Sequence, residues 1–422
     1  MDSINTIDST PLTTDPYEIR DHNYVSSFGT VMNLLNSILG AGVLSISNSF
    51  TFCGLIPSIF IMTVVAGLSY VSAAIVVRLQ METHVESLDA LSKLTTGRVG
   101  SVILSISSMI FCYSCMIAYL IMGTDFLISW LDAAGLKITG FWDRALVAFL
   151  FSVCIPVAMS VPKKMKILSY ISTSAIESLA FFTIVMIVEG IIRLPRDGFS
   201  PTVETYQLNF GIFNALAIYS LSFALAVVII PIIIHSKPDL TSRYRIAGTA
   251  FFFSYVIVMI PGAIGYLIFG QEVEQIILLS FDKHDTLFII VKAAYFIVLS
   301  ASYPVLGLTV LTTVSRAVFK IDDPAELPWG KRSIALFLEN LFPVLVAMFL
   351  PNVRFAMSIG GSLGGGLSNF VFPPIFSIVL SKKRWFHWTN ILCMLMSTFG
   401  IVASAIATYE SVLDAIAGFK GN

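Results

Sequence analysis

Few side chains in this 422-residue chain could do chemistry, and the most suggestive lie inside apolar runs. Residues 26–50 read SSFGTVMNLLNSILGAGVLSISNSF. The stretch can cross a membrane, since about 20 mostly apolar residues suffice. Yet its centre holds Asn36, Ser37, Gly40 and Gly42, which suit an uninterrupted helix in lipid poorly. A break there frees backbone N–H and C=O groups that need protein, water or ligand as partners. Broken helices at the midplane are how many secondary transporters hold substrate and coupling ion. The alternative is a close helix–helix contact made by small residues. A second polar cluster, Tyr219, Ser220 and Ser222, precedes Pro231, and a third, Ser300 and Ser302, precedes Pro304. No His/Asp pair, metal cluster or nucleophile–base set stands at a membrane-boundary position, so enzymatic chemistry is not expected. Nor does any repeated filter or charged ring suggest a channel.

These residues must be positioned by helices. The chain is 56% hydrophobic and 12% charged, with mean hydropathy +0.86. Soluble domains average about 25% charged residues, so an all-α polytopic membrane protein embedded in a lipid bilayer is expected. A net charge of −1 gives no reason to expect nucleic acid as a partner. The five cysteines sit in apolar runs and read as packing residues, Cys112 and Cys115 included.

Apolar windows predict eleven spans, near 25–48, 54–78, 99–131, 142–161, 167–192, 210–235, 244–269, 286–315, 332–350, 353–380 and 389–412. With the N-terminus in the cytoplasm, the inner segments hold 17 of the 25 lysines and arginines, which favours that orientation. Residues 1–24 read as a disordered cytoplasmic tail, 25–412 as the transmembrane domain and 413–422 as a short tail on the far side. Repeats of five spans, about 25–192 and 210–380, must be inverted relative to each other, with residues 389–412 an extra helix. Span six should then also be interrupted and face the break in span one. Pro231 supplies a kink there, though no Gly pair marks a break.

Several stretches resemble the amino acid/auxin permease family, and within it the sodium-coupled neutral amino acid transporters and their vacuolar relatives. NLLNSILGAGVLSISNSFTFCG is similar to the family's first helix and SCMIAYLIMGTDFL to its third. LSYISTSAIESLAFFTIVMIV resembles the fifth, SYPVLGLTVL the eighth and IGGSLGGGLSNFVFPPIFSIVL the tenth. The resemblance implies a LeuT-type fold, five plus five inverted helices with an eleventh appended. It also implies amino-acid transport by alternating access, without a bound organic cofactor, at the plasma membrane or a vacuolar or lysosomal membrane.

An amino acid needs donors for its carboxylate and acceptors for its ammonium. A break at Gly40, Ala41 and Gly42 offers N–H groups from the second half-helix and carbonyls from the first. Ser222 and Phe223 are expected to form the facing wall. Tyr119 is expected either to cap the pocket or to be plain core. By resemblance, a sodium ion lies between Asn36, the Leu39 carbonyl and Ser300 or Ser302, oxygen ligands of the kind hard cations take. The serines also fit a role bonding their own helix carbonyls.

Two features depart from the sodium-coupled relatives. Ala226 stands where they carry a His, which leaves their substrate range unsafe to transfer. Glu177 lies about 15 Å into span five, near the midplane. It is expected to act either as a proton acceptor or as a protonated interhelical hydrogen-bond donor, which keeps proton coupling beside sodium. Glu189, Arg193 and Lys292 near span ends are expected to snorkel. The competing function is an amino-acid sensor that uses the same pocket to signal to cytoplasmic partners.

Overall fold

The computed structural model describes residues 24–420 except 41, 163–165, 208, 322 and 351, so the expected tail at 1–23 lies outside the described residues. The helices are α1 (Ser27–Ile38), α2 (Gly42–Ser49), α3 (Leu55–Thr83), α4 (Leu88–Ala133), α5 (Phe141–Ser152) and α6 (Ala158–Ser160). There follow α7 (Lys166–Asp197), α8 (Ile212–Ser222), α9 (Ile229–Ile233), α10 (Leu240–Phe269) and α11 (Thr286–Val314). The last four are α12 (Trp329–Phe349), α13 (Val353–Ile359), α14 (Phe372–Leu380) and α15 (Trp388–Lys420).

Among the described residues, nine helical stretches are long and apolar enough to cross a membrane, and the bent pair α1–α2 makes a tenth. The shorter apolar α8 ends at an interruption. Large apolar side chains such as Phe60, Ile184, Phe252, Ile297, Phe337 and Leu395 point outward. That suits a multi-pass membrane protein, because lipid covers them where water would not.

Polar residues hide one helix start from a hydropathy window. Helix α4 begins at Leu88 rather than near 99: the Ser87 hydroxyl caps it by accepting from the Ala90 N–H at 3.1 Å. Leu88 and Leu91 turn into the core, and the helix kinks at Gly97, whose φ of 69° is left-handed. Lys292 does not snorkel. It is buried and its ammonium donates to Ser129 at 3.1 Å, while Arg193 pairs with Glu189 at 2.6 Å.

Residues 360–371, between α13 and α14, wind in wide π-type turns and pack on α4, α8 and α15. Their glycines permit backbone-to-backbone approach. A Cβ at Gly361 would overlap the Ala217 carbonyl oxygen, and one at Gly365 would fall 2.7 Å from that of Ser220. This contact seats α8 deep in the bundle, where its entire stretch from Asn214 to Ser222 is buried.

Candidate functional site

The break in span one falls where the small residues predict it. Helix α1 closes with the Leu39 N–H donating to the Leu35 carbonyl at 2.9 Å, and α2 starts at Gly42. The two halves are bent by 56°. Helix ends leave several N–H or C=O groups without helical partners, so both termini present polar backbone at this level. Ala41, between them, lies outside the described residues.

Span six is interrupted as well, but not at its proline. Helix α8 stops at Ser222, and the chain runs non-helically from Phe223 to Val228 before α9. Pro231 sits inside α9, so the opening precedes the expected kink. The exposed backbone is bridged by a side chain that sequence reasoning missed. Asn369, fully buried in the π-type segment, donates from Nδ2 to the Phe223 carbonyl and accepts at Oδ1 from the Ala226 N–H, each at 3.3 Å. Its only sequence signal is an amide inside the apolar run SNFVFPP.

The two interruptions touch. A Cβ at Gly42 would overlap the Ser222 hydroxyl and fall 2.9 Å from the Ser222 Cβ. Ser222 is held by donating to the Ile218 carbonyl at 2.8 Å. Above the break, the Tyr119 hydroxyl lies 2.6 Å from where a Cβ on Gly40 would be. Only glycine allows both approaches.

A cavity of about 140 Å³ lies at this junction, lined by Asn36, Gly40, Gly42, Tyr119, Ser222 and Ser302 among others. One water needs roughly 10–15 Å³ on that measure, so the space takes a polar solute. Ser300, on the same helix α11, does not line the cavity; it is buried, and its hydroxyl has no hydrogen-bond partner among the described residues. Leu39 is buried beside the break. Two expectations fare differently. Phe223 is fully buried and does not line the cavity, and its carbonyl accepts from Asn369 instead. Glu177 has an exposed side chain and is not brought to the cavity, because α7 turns that face outward while Ala175 and Leu179 pack inward. Among the described residues, no three His, Cys, Asp or Glu side chains gather to hold a metal.

The cavity is closed on one side. Its lining follows α1 and α11 toward Ser37 and Thr309, and Thr309 also lines an adjoining cavity of about 120 Å³ with Asp89 and Ser105. No lining residue comes from the later part of α2. There the Arg354 guanidinium donates to Asn48 Oδ1 from Nε at 3.0 Å and Nη2 at 2.7 Å. Asn48 Nδ2 donates onward to the Val273 carbonyl at 2.8 Å, and Arg354 stacks over Phe52, 4.8 Å from the ring centre.

Known proteins of similar sequence and structure point the same way. The family described as transmembrane amino acid transporter protein matches residues 25–413. Amino acid transporter AVT6E of Arabidopsis thaliana is 24% identical, over 92% of this chain and 84% of its own. Sodium-coupled neutral amino acid transporter 7 of Xenopus laevis is 23% identical, over 91% and 87%. Among solved structures, MhsT in complex with L-phenylalanine superposes with a TM-score of 0.54 at 15% identity, over 93% of this chain and all of that one. The manganese transporter of Eremococcus coleocola gives 0.58 at 13%, over 94% and 88%. The likeness shows that the fold is of the LeuT type.

Proposed function

The chain belongs to the transmembrane amino acid transporter family, and we propose that it moves neutral amino acids by alternating access, coupled to a sodium or proton gradient. Amino-acid transport follows from the family, which is one of transporters rather than enzymes. The observation that carries the finer reading is the contact of Gly42 with Ser222, which joins two interrupted helices beside a polar-lined cavity.

In this reading the substrate carboxylate meets the N–H groups that open α2, where the helix dipole is positive. The ammonium meets carbonyls at the end of α1. Gly40 and Gly42, which flank Ala41 in the sequence, leave the backbone bare, Ser222 forms the facing wall, and Tyr119 closes the top. Asn36, the Leu39 carbonyl, Ser300 and Ser302 offer neutral oxygens to sodium. The unsatisfied Ser300 hydroxyl supports that assignment, since buried polar groups seldom lack a partner. Spans one to five and six to ten form the inverted repeats, and α15 is the appended helix.

The N-terminus is cytoplasmic on the Lys/Arg count. The cavity then reaches toward the cytoplasm, while Arg354 and Asn48 shut the opposite side. This arrangement is an inward-facing state. A sensor function has no support, since the relatives are named as transporters.

Reconstitution into liposomes tests the reading. A panel of radiolabelled neutral and cationic amino acids is offered with sodium and pH gradients imposed separately. Concentrative uptake of neutral amino acids under one gradient is expected. Uptake confined to cationic amino acids, or indifferent to both gradients, would count against it.

A further inference from the structure

One buried acid has no place in the site described so far. Glu339 lies midway along the 21-residue α12, hence near the membrane midplane, and is 1% exposed. Its Oε2 has no hydrogen-bond partner among the described residues. Its Oε1 occupies the place where a side chain would be on Gly307 of α11, since a Cβ there would overlap it. The carboxyl therefore lies against bare backbone.

The groups facing it are otherwise engaged. From α11, the Tyr303 hydroxyl donates to Asn340 at 2.7 Å, and Asn340 in turn donates to the Leu336 carbonyl at 2.8 Å. From α4 comes Tyr113, packed edge-on against Phe342, while the buried thiols of Cys112 and Cys115 lie on the sides of α4 that line the two cavities. On α12 itself, Arg332 lies two turns back, and its guanidinium donates to the carbonyls of Val161, Pro162 and Pro324. Helix α5 runs antiparallel to α12, with Phe141 beside Phe349, and its titratable groups Asp143 and Arg144 lie at that far end. No salt bridge compensates Glu339 among the described residues. An ionised carboxylate left so is costly in a membrane interior, whereas a neutral acid is tolerated.

Gly307 also connects Glu339 to the cavity. Its neighbours Leu306 and Thr309 line that space from the opposite side of α11. Any shift of α11 that opens or closes the cavity changes what covers the carboxyl. We propose that Glu339, set against Gly307 behind the cavity wall, is the proton-binding site of this transporter, carrying its proton while α11 stays packed on α12 and releasing it when α11 moves. The inference rests on the transport reading and adds the ion and its carrier.

Counterflow exchange and gradient-driven accumulation in liposomes separate the two claims. Absence of counterflow by the parent with every amino acid tried defeats the transport reading itself. Given counterflow, the parent should accumulate substrate under an imposed pH gradient without sodium. E339Q, which imitates the protonated acid, should lose that accumulation by about tenfold or more and show counterflow independent of pH. Accumulation driven by sodium alone in the parent overturns the proposal, as does E339Q with the parent's accumulation and pH profile. Should E339Q not be recovered folded, E339D decides: a displaced pH profile supports the assignment and an unmoved one overturns it.

Discussion

Arg354, at the start of α13, grips Asn48 of α2 through two donors on one carbonyl oxygen, at 2.7 and 3.0 Å. The pair ties the second half of span one to span ten on the closed side of the cavity. Hydrogen bonds to a charged group contribute about 1.5–3 kcal/mol. Arg354→Ala should therefore shift the balance toward the state open on that side by roughly tenfold or more. The measurement is alkylation of a cysteine placed at Ser45, buried between the break and the pair, after the five native cysteines are replaced. Faster labelling from the α2 side is expected. An unchanged rate would show that the pair does not hold the closure.

The contact of Gly42 with Ser222 makes a steric prediction. Gly42→Ala forces its methyl into the Ser222 side chain, an overpacking that costs about 1–3 kcal/mol. Uptake should fall at least tenfold. Ser222→Gly added to it removes the obstruction and should restore part of the rate. A double variant as poor as Gly42→Ala alone would place the defect elsewhere.

Asn369 makes a prediction about stability. Asn369→Ala leaves the Phe223 carbonyl and Ala226 N–H unsatisfied in a buried place, at about 1–3 kcal/mol for each group. Thermal unfolding in detergent should shift down by several degrees. Asn369→Asp keeps the acceptor and loses the donor, so it should also fall below the parent. A parent-like transition for the Ala variant would remove the bridge from the account.

Asn36 and Ser300 test the sodium assignment. Where sodium stimulates uptake, Asn36→Ala and Ser300→Ala should each weaken that stimulation by about tenfold, as expected when one oxygen ligand is lost. Unchanged rates with unchanged ion dependence would remove the site.

What the sequence reveals follows the reach of the forces involved. The break in span one is local, made by Gly40 and Gly42 with no helical preference to resist it, and both its place and its polar lining were legible. Span six carries no such residues. It opens because Asn369, distant in sequence, bonds the unwound backbone, so Pro231 drew attention to the wrong turn. The two acids show the same divide. Depth along the span selected Glu177, but depth says nothing about which face of the helix is covered. Glu339 is covered because Gly307 on another helix leaves room for it, a pairing no single span displays. Likewise, Arg354 reads in the sequence only as a charge at a span end, although its partner is a buried amide of span one.

The most direct test of the account is a cryo-electron microscopy map of the transporter with a transported amino acid bound. The account predicts substrate density between the α1–α2 break and Ser222, below Tyr119, with its carboxylate toward the first N–H groups of α2. Density elsewhere in the bundle, with this junction packed shut by protein, would contradict it.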